Sequence, residues 1–126
     1  MSNYETISSV NSSERLDMVF TIVPKGRGEN VIDVLRENDL INSIICHGRG
    51  TAPSKVLEML GLGATEKDVV ISFVKNVQSE FILKEISRKM EFAKPGHGIS
   101  FTVPLQSVAG IMAFKLLTTD HSEEDD

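Results

Sequence analysis

The sequence predicts an α+β domain of ferredoxin-like βαββαβ type, with an antiparallel sheet and its helices on one face. Three observations carry this. First, the chain contains a concealed duplication: shifted by 51 residues, "VFTIV" (Val19 to Val23) lies over "VISFV" (Val70 to Val74), and "ENVIDVL" (Glu29 to Leu35) over "EFILKEI" (Glu80 to Ile86). Second, each copy reads as strand, turn of about five residues, helix and strand, so the tandem gives βαββαβ. Third, 126 residues with 40% hydrophobic and 25% charged side chains suffice for one domain with its own core.

The elements follow in order. Residues 1–15 are rich in Ser and Asn and poor in large apolar groups, and read as a disordered N-terminal segment. "LDMVFTIVP" has the β-branched and aromatic content of a strand. "GENVIDVLREN" places Val31, Val34 and Leu35 at helical spacing. "LINSIICHG" is the second strand. About 20 residues, "GRGTAPSKVLEMLGLGATEKD", then separate it from the third, and a loop that long in a small domain is functional or disordered. In the last strand, "HGISFTVPL", Ile99, Phe101 and Val103 alternate as in a half-buried strand. The folded domain spans 16–117, with the long loop at about 49–66. Residues 118–126 form an acidic, disordered tail. A sheet with helices on one face needs a cover for the other, and oligomerisation is a common one.

Charge excludes several functions. The net charge of −5 resides in the tail, where Asp120, Glu123, Glu124, Asp125 and Asp126 are clustered; the remaining 13 acidic residues balance 13 basic ones. A neutral body without a basic stripe does not suit nucleic acid, which demands clustered Lys and Arg. No apolar run approaches the roughly 20 residues of a membrane span. The N-terminus lacks a secretory h-region, and the single cysteine permits no intrachain disulfide, so a cytoplasmic location is expected.

Four motifs bear on chemistry. "PKGRGENVI" has Gly26 and Gly28 but Val31 at the third glycine position of a dinucleotide fingerprint, and reads as a plain strand-to-helix turn. "HGRGT" (His47, Gly48, Arg49, Gly50, Thr51) combines close backbone approach with a guanidinium fork for phosphate or carboxylate; a flexible turn with a solvated arginine is the alternative. "KPGHGISF" places Gly96, His97 and Gly98 before a strand, as anion-binding amides or as a simple tight turn. "APSKVLEMLGLG" is helix-like, and its Val56, Leu57, Met59, Leu60 and Leu62 suit packing on the protein itself, on a neighbouring subunit or on a partner protein. A metal site from Cys46, His47, His97 and His121 is disfavoured, because adjacent strand residues point to opposite faces. The same geometry disfavours Cys–His catalysis, and Cys46 reads as a small buried hydrophobe.

Together these residues resemble the PII-like nitrogen-regulatory signalling family. The resemblance covers about Leu16 to Ala109. It rests on the βαββαβ order, the "GRG" turn ending strand two, the long loop, Lys67 before strand three, and "KPGHGISFTVPLQSV". It implies a homotrimer with inward-facing sheets and no enzymatic activity. An adenine nucleotide (ATP, ADP or AMP) would bind in the intersubunit clefts, contacting His47, Gly48, Arg49, Gly50, Thr51, Lys67, Gly96, His97 and Gly98. The loop would act as an effector-contacting T-loop, presenting Val56, Leu57, Met59, Leu60 and Leu62 to a regulated protein, a membrane transporter among the candidates.

The chain also departs from the family pattern. His97 stands at an acidic position, Gly50 at a glutamine, and Ile99, Gly110 and Met112 where basic residues contact phosphates. Each lost charge-assisted hydrogen bond is worth about 1.5–3 kcal/mol, so together they amount to several powers of ten in ATP affinity. The loop contains no tyrosine, which excludes tyrosine modification there. The alternatives to a nucleotide sensor are a CutA-like metal-binding trimer, with His47 and His97 meeting between subunits, and a small nucleotide-hydrolysing enzyme.

Overall fold

In the first strand, β1 (Leu16–Pro24), burial alternates residue by residue: Asp17, Val19, Thr21 and Val23 are buried while their neighbours are partly exposed. That period of two commits one face of the strand to a core. The protein is represented by a computed structural model that describes residues 15–50, 55, 66–107 and 109. Helix α1 (Gly28–Glu37) follows β1 and buries Val31, Ile32, Val34 and Leu35, a stripe at helical spacing. Strands β2 (Ser43–Arg49) and β3 (Glu66–Lys75), helix α2 (Asn76–Lys89) and strand β4 (Ile99–Pro104) complete the described elements.

The sheet order is β2-β3-β1-β4, and every neighbouring pair is antiparallel. Each helical crossover therefore skips one strand, and the two crossovers interlock. This is the expected α+β, ferredoxin-like arrangement. The duplication is visible in the packing. Val19, Thr21 and Val23 of β1 are matched by Val70, Ser72 and Val74 of β3, all buried, and Val31 and Leu35 of α1 by Ile82 and Ile86 of α2.

One expectation fails in the second copy. No five-residue turn separates β3 from α2, because Lys75 ends the strand and Asn76 opens the helix. The Asn76 amide donates to the Arg15 carbonyl at 2.8 Å, and its side-chain amide donates to Asp17 Oδ2 at 3.1 Å, pinning the helix start to the beginning of β1.

The other face of the sheet is apolar throughout its centre. By strand register it carries Met18, Phe20 and Ile22 of β1, Val69, Ile71 and Phe73 of β3, Ile44 and Cys46 of β2, and Ile99, Phe101 and Val103 of β4. Phe20 and Phe101 stack across the strands with ring centroids 5.4 Å apart and planes 11° from parallel. Ile44 is 45% exposed, and Ile99, Phe101 and Val103 are each 40% exposed. Cys46 corrects the sequence reading. It is exposed rather than buried, because it projects from an edge strand onto this open face.

Of the 52–63 segment only Lys55 is described, and it is helical. Thr51, Val56, Leu57, Met59, Leu60 and Leu62 therefore lie outside the described residues, as do the N-terminal and acidic-tail assignments.

Candidate functional site at one end of the sheet

Antiparallel pairing brings four chain segments to the same end of the sheet. β1 and β2 end there, and β3 and β4 begin there. The end is built from the turn Lys25 to Arg27, the β2 terminus His47 to Gly50, the β3 start Glu66 to Asp68, and the turn Glu91 to Gly98.

Asp68 organises one side of this end. It occupies a position of β3 that alternation assigns to the buried face, in series with Val70, Ser72 and Val74. Its Oδ2 accepts the amides of Gly26 at 2.9 Å and Gly28 at 3.0 Å, and its Oδ1 accepts His47 Nδ1–H at 3.0 Å. A carboxylate from 40 residues away thus fills the anion-seeking N-terminus of α1. Gly28 is required for that approach, since a Cβ there would lie 2.9 Å from Asp68 Oδ2. The glycine turn therefore has its anion supplied internally. Burial raises the Asp68 pKa, but the Gly28 amide, the His47 hydrogen bond and the Gly26 amide outweigh it and hold the group below the ordinary aspartate value.

The bond to Asp68 fixes how His47 is presented. An ionised carboxylate only accepts, so the imidazole donates through Nδ1, and Nε2 carries the free lone pair in the neutral form. The His47 side chain is 78% exposed while that of Asp68 is 6% exposed.

Lys67 lies on the opposite face, across from Gly48 of β2 and Pro24 of β1. It is only 5% exposed, and its ammonium has no hydrogen-bond partner among the described residues. Burial alone lowers its pKa. Arg49 is exposed across from Glu66, and Glu66 is paired instead with Lys25 at 3.0 Å.

The glycine turn at the other edge is shaped by sterics. Gly98 has φ +135, and a Cβ there would meet the Ile22 carbonyl at 2.6 Å and Phe92 and Val23 at 2.9 Å. Gly96 has φ +83. The His97 amide is committed to the Lys94 carbonyl at 3.2 Å, and its Nδ1–H to the Met90 carbonyl at 3.2 Å. Glu91 pairs with Lys94 at 2.9 Å. That hydrogen bond and charge lower the Glu91 pKa, with smaller contributions from His97 and Arg27. A groove of about 370 Å³ lies beside this turn, between α2 and β4, with Leu83, Phe92 and Ile99 in its lining.

Of the residues singled out from the sequence, His47, Gly48, Arg49, Gly50 and Lys67 thus gather at the β2–β3 edge. Gly96, His97 and Gly98 stand at the β4 edge, three strand spacings or about 14 Å away. Asp68 and the role of Gly28 escaped the motif search. The available signal was an acid at a core-facing strand position.

No family model matches the chain, and no curated protein sequence matches it. Solved structures do. The fold is similar to that of PII from Arabidopsis thaliana bound to citrate, at 20% identity and a TM-score of 0.56, over 71% of this chain and 74% of that one. It is also similar to the GlnK–ATP complex of B. subtilis, at 16% identity and a TM-score of 0.57, over 79% of this chain and 90% of that one. This likeness shows a PII-like fold.

Proposed function

We propose that this protein is a non-enzymatic, cytoplasmic signalling protein of PII-like type. It works as a homotrimer that senses a small anionic ligand, an adenine nucleotide, in clefts between subunits. The observation that carries the reading is Lys67. A buried ammonium with no partner among the described residues is costly, and an anion binding beside Gly48 and Arg49 offsets that cost. Ligand binding then biases the 51–65 segment, which leaves β2 at Gly50 and returns at Glu66, and so changes what a partner protein meets.

Four further points support this. The apolar sheet face needs a cover, and further copies of the chain supply one. The two glycine turns sit at opposite sheet edges, so they form one cleft only between subunits. One solved protein of this fold holds ATP in its described complex, and another holds citrate. The groove beside Gly98 offers an apolar wall for a base.

Isothermal titration of the full chain with ATP, ADP, AMP and cyclic dinucleotides, with light scattering for mass, tests the reading. Binding of an adenine nucleotide to a trimer supports it. A monomer that binds none of them overturns it.

A metal-binding reading is favoured by one specific observation. His47 and His97 both donate through Nδ1, to a carboxylate and to a carbonyl, leaving Nε2 available as in metal-ligating imidazoles. Among the described residues, no three His, Cys, Asp or Glu side chains of one chain are placed to hold an ion. Such a site would have to span subunits, and elemental analysis after zinc or copper addition tests it.

A further inference from the structure

We propose that the exposed apolar pair Val77 and Phe81 on α2 is the docking surface for the chain's own N-terminal segment, residues 1–14, held there through Val10 and Ile7. The proposal is independent of the nucleotide reading, because α2 starts at the opposite end of the sheet from Lys67 and the glycine turns.

The pair stands out against the first copy of the duplication. Val77 is 71% exposed and Phe81 is 57% exposed, one helical turn apart on the same face of α2. The core takes Ile82 and Ile86 of this helix instead. Shifted back by 51 residues, Phe81 falls on Asn30 and Val77 on Gly26, both exposed and neither a large apolar residue. The first copy thus has a solvated surface where the second carries an aromatic and an aliphatic side chain.

The path of the chain supplies the occupant. The Arg15 carbonyl accepts the Asn76 amide at 2.8 Å, so residues 1–14 depart from the first turn of α2. Val77 is the next residue of that turn, and Phe81 lies five residues beyond Asn76, about 7.5 Å along the helix axis. Val10 is five residues before Arg15, a reach of up to about 17 Å, so it meets the patch with slack, and Ile7 follows three residues earlier. Residues 1–14 have too few large apolar groups for a core of their own, so any order they gain comes from the surface they meet. Charge agrees: α2 has no acidic residue in its first turn and no side-chain cap, while the charged side chains of the segment are Glu5 and Glu14.

Size favours a tethered occupant over a separate one. Two side chains fall far short of the roughly 800 Å² per partner of a stable association. A segment attached beside the patch meets it at an effective concentration on the order of millimolar, where a weak contact suffices.

The test is a double-mutant cycle on the full chain. Its four members are the parent, a deletion of residues 2–13 that keeps Arg15 and its bond to Asn76, the variant Val77→Gln with Phe81→Gln, and the two changes combined. The substituted side chains are exposed, so each member is expected to fold. The deletion is expected to lower the melting temperature of the parent by about 2–5 °C and to leave that of the glutamine variant unchanged. Equal losses in both backgrounds overturn the inference. NMR is expected to show proximity between the Val10 and Ile7 methyl groups and the Phe81 ring; random-coil shifts for both methyl groups overturn it. Light scattering separates the rival occupant. A mass that falls with the glutamine variant but not with the deletion puts a second copy of the chain on the patch, and overturns the docking of residues 1–14.

Discussion

Asp68 Oδ1 lies 3.0 Å from His47 Nδ1, so one buried carboxylate ties the end of β2 to the start of β3 while its other oxygen caps α1. Three segments far apart in sequence are fixed by a single side chain, at the point where the chain leaves for the 51–65 segment.

Replacing Asp68 by Asn is therefore expected to destabilise the protein by about 2–3 kcal/mol, because the hydrogen bonds lose their charged acceptor and an NH₂ group, which only donates, takes the place of one of the two accepting oxygens. The pH dependence follows from the lowered Asp68 pKa. The contribution is fully present above the unfolded aspartate pKa of about 3.9 and is lost as pH falls through the lower folded value. Chemical denaturation at neutral pH and near pH 3 checks this: the gap between parent and Asp68→Asn is expected to narrow in acid. An unchanged gap would sink the assignment.

Lys67 gives the opposite expectation. Its pKa is lowered by burial, so the folded state carries a penalty for the charged form. That penalty is present below the lowered folded pKa and fades as pH rises from there toward the unfolded lysine value of about 10.4. Lys67→Met is expected to raise apo stability by about 1–3 kcal/mol and to remove most of the stabilisation given by bound nucleotide. Melting with and without ADP reads both. A variant less stable than the parent in the apo state would show that the ammonium is satisfied and does not await an anion.

The open sheet face makes a prediction about assembly. Phe20 and Phe101 stack at its centre, and Phe101 is 40% exposed in the single chain. Phe101→Glu places a charge where copies of the sheet would pack, which is costly to bury unpaired. Light scattering is expected to show dissociation to a monomer with a lower melting temperature. Thr102→Glu on the same strand, with its Cα on the helix-facing side by register, controls for a general effect on β4. Retention of the oligomer by Phe101→Glu would place the interface elsewhere.

The duplication made the fold legible. Val19, Thr21 and Val23 recur as Val70, Ser72 and Val74 because both strands bury the same face under equivalent helices, and the period survives divergence. Lys67 and the "HGR" turn were named together only through the family resemblance, and the pairing of the consecutive strands β2 and β3 brings them to one edge. Asp68 was not, because its partners Gly26 and Gly28 lie 40 or more residues away and meet it only after β3 inserts beside β1. Cys46 was misread for a related reason. Its apolar neighbours suggest burial, yet that burial depends on whatever covers the open face.

The two glycines of the "PGHG" turn separate a structural cause from a ligand-binding one. Gly98 is held at φ +135 with the Ile22 carbonyl, Phe92 and Val23 where a Cβ would go, so Gly98→Ala forces a shift of backbone in β1. A loss of about 2–4 kcal/mol is expected, the scale of overpacking combined with backbone strain. Gly96 at φ +83 carries the conformational cost of an L residue, about 1–2 kcal/mol, and Gly96→Ala is expected to remain folded. Denaturant melts rank the two. If Gly98→Ala kept the parent's stability and lost only nucleotide affinity, the turn would owe its glycine to ligand approach, and the steric account given for it would be wrong.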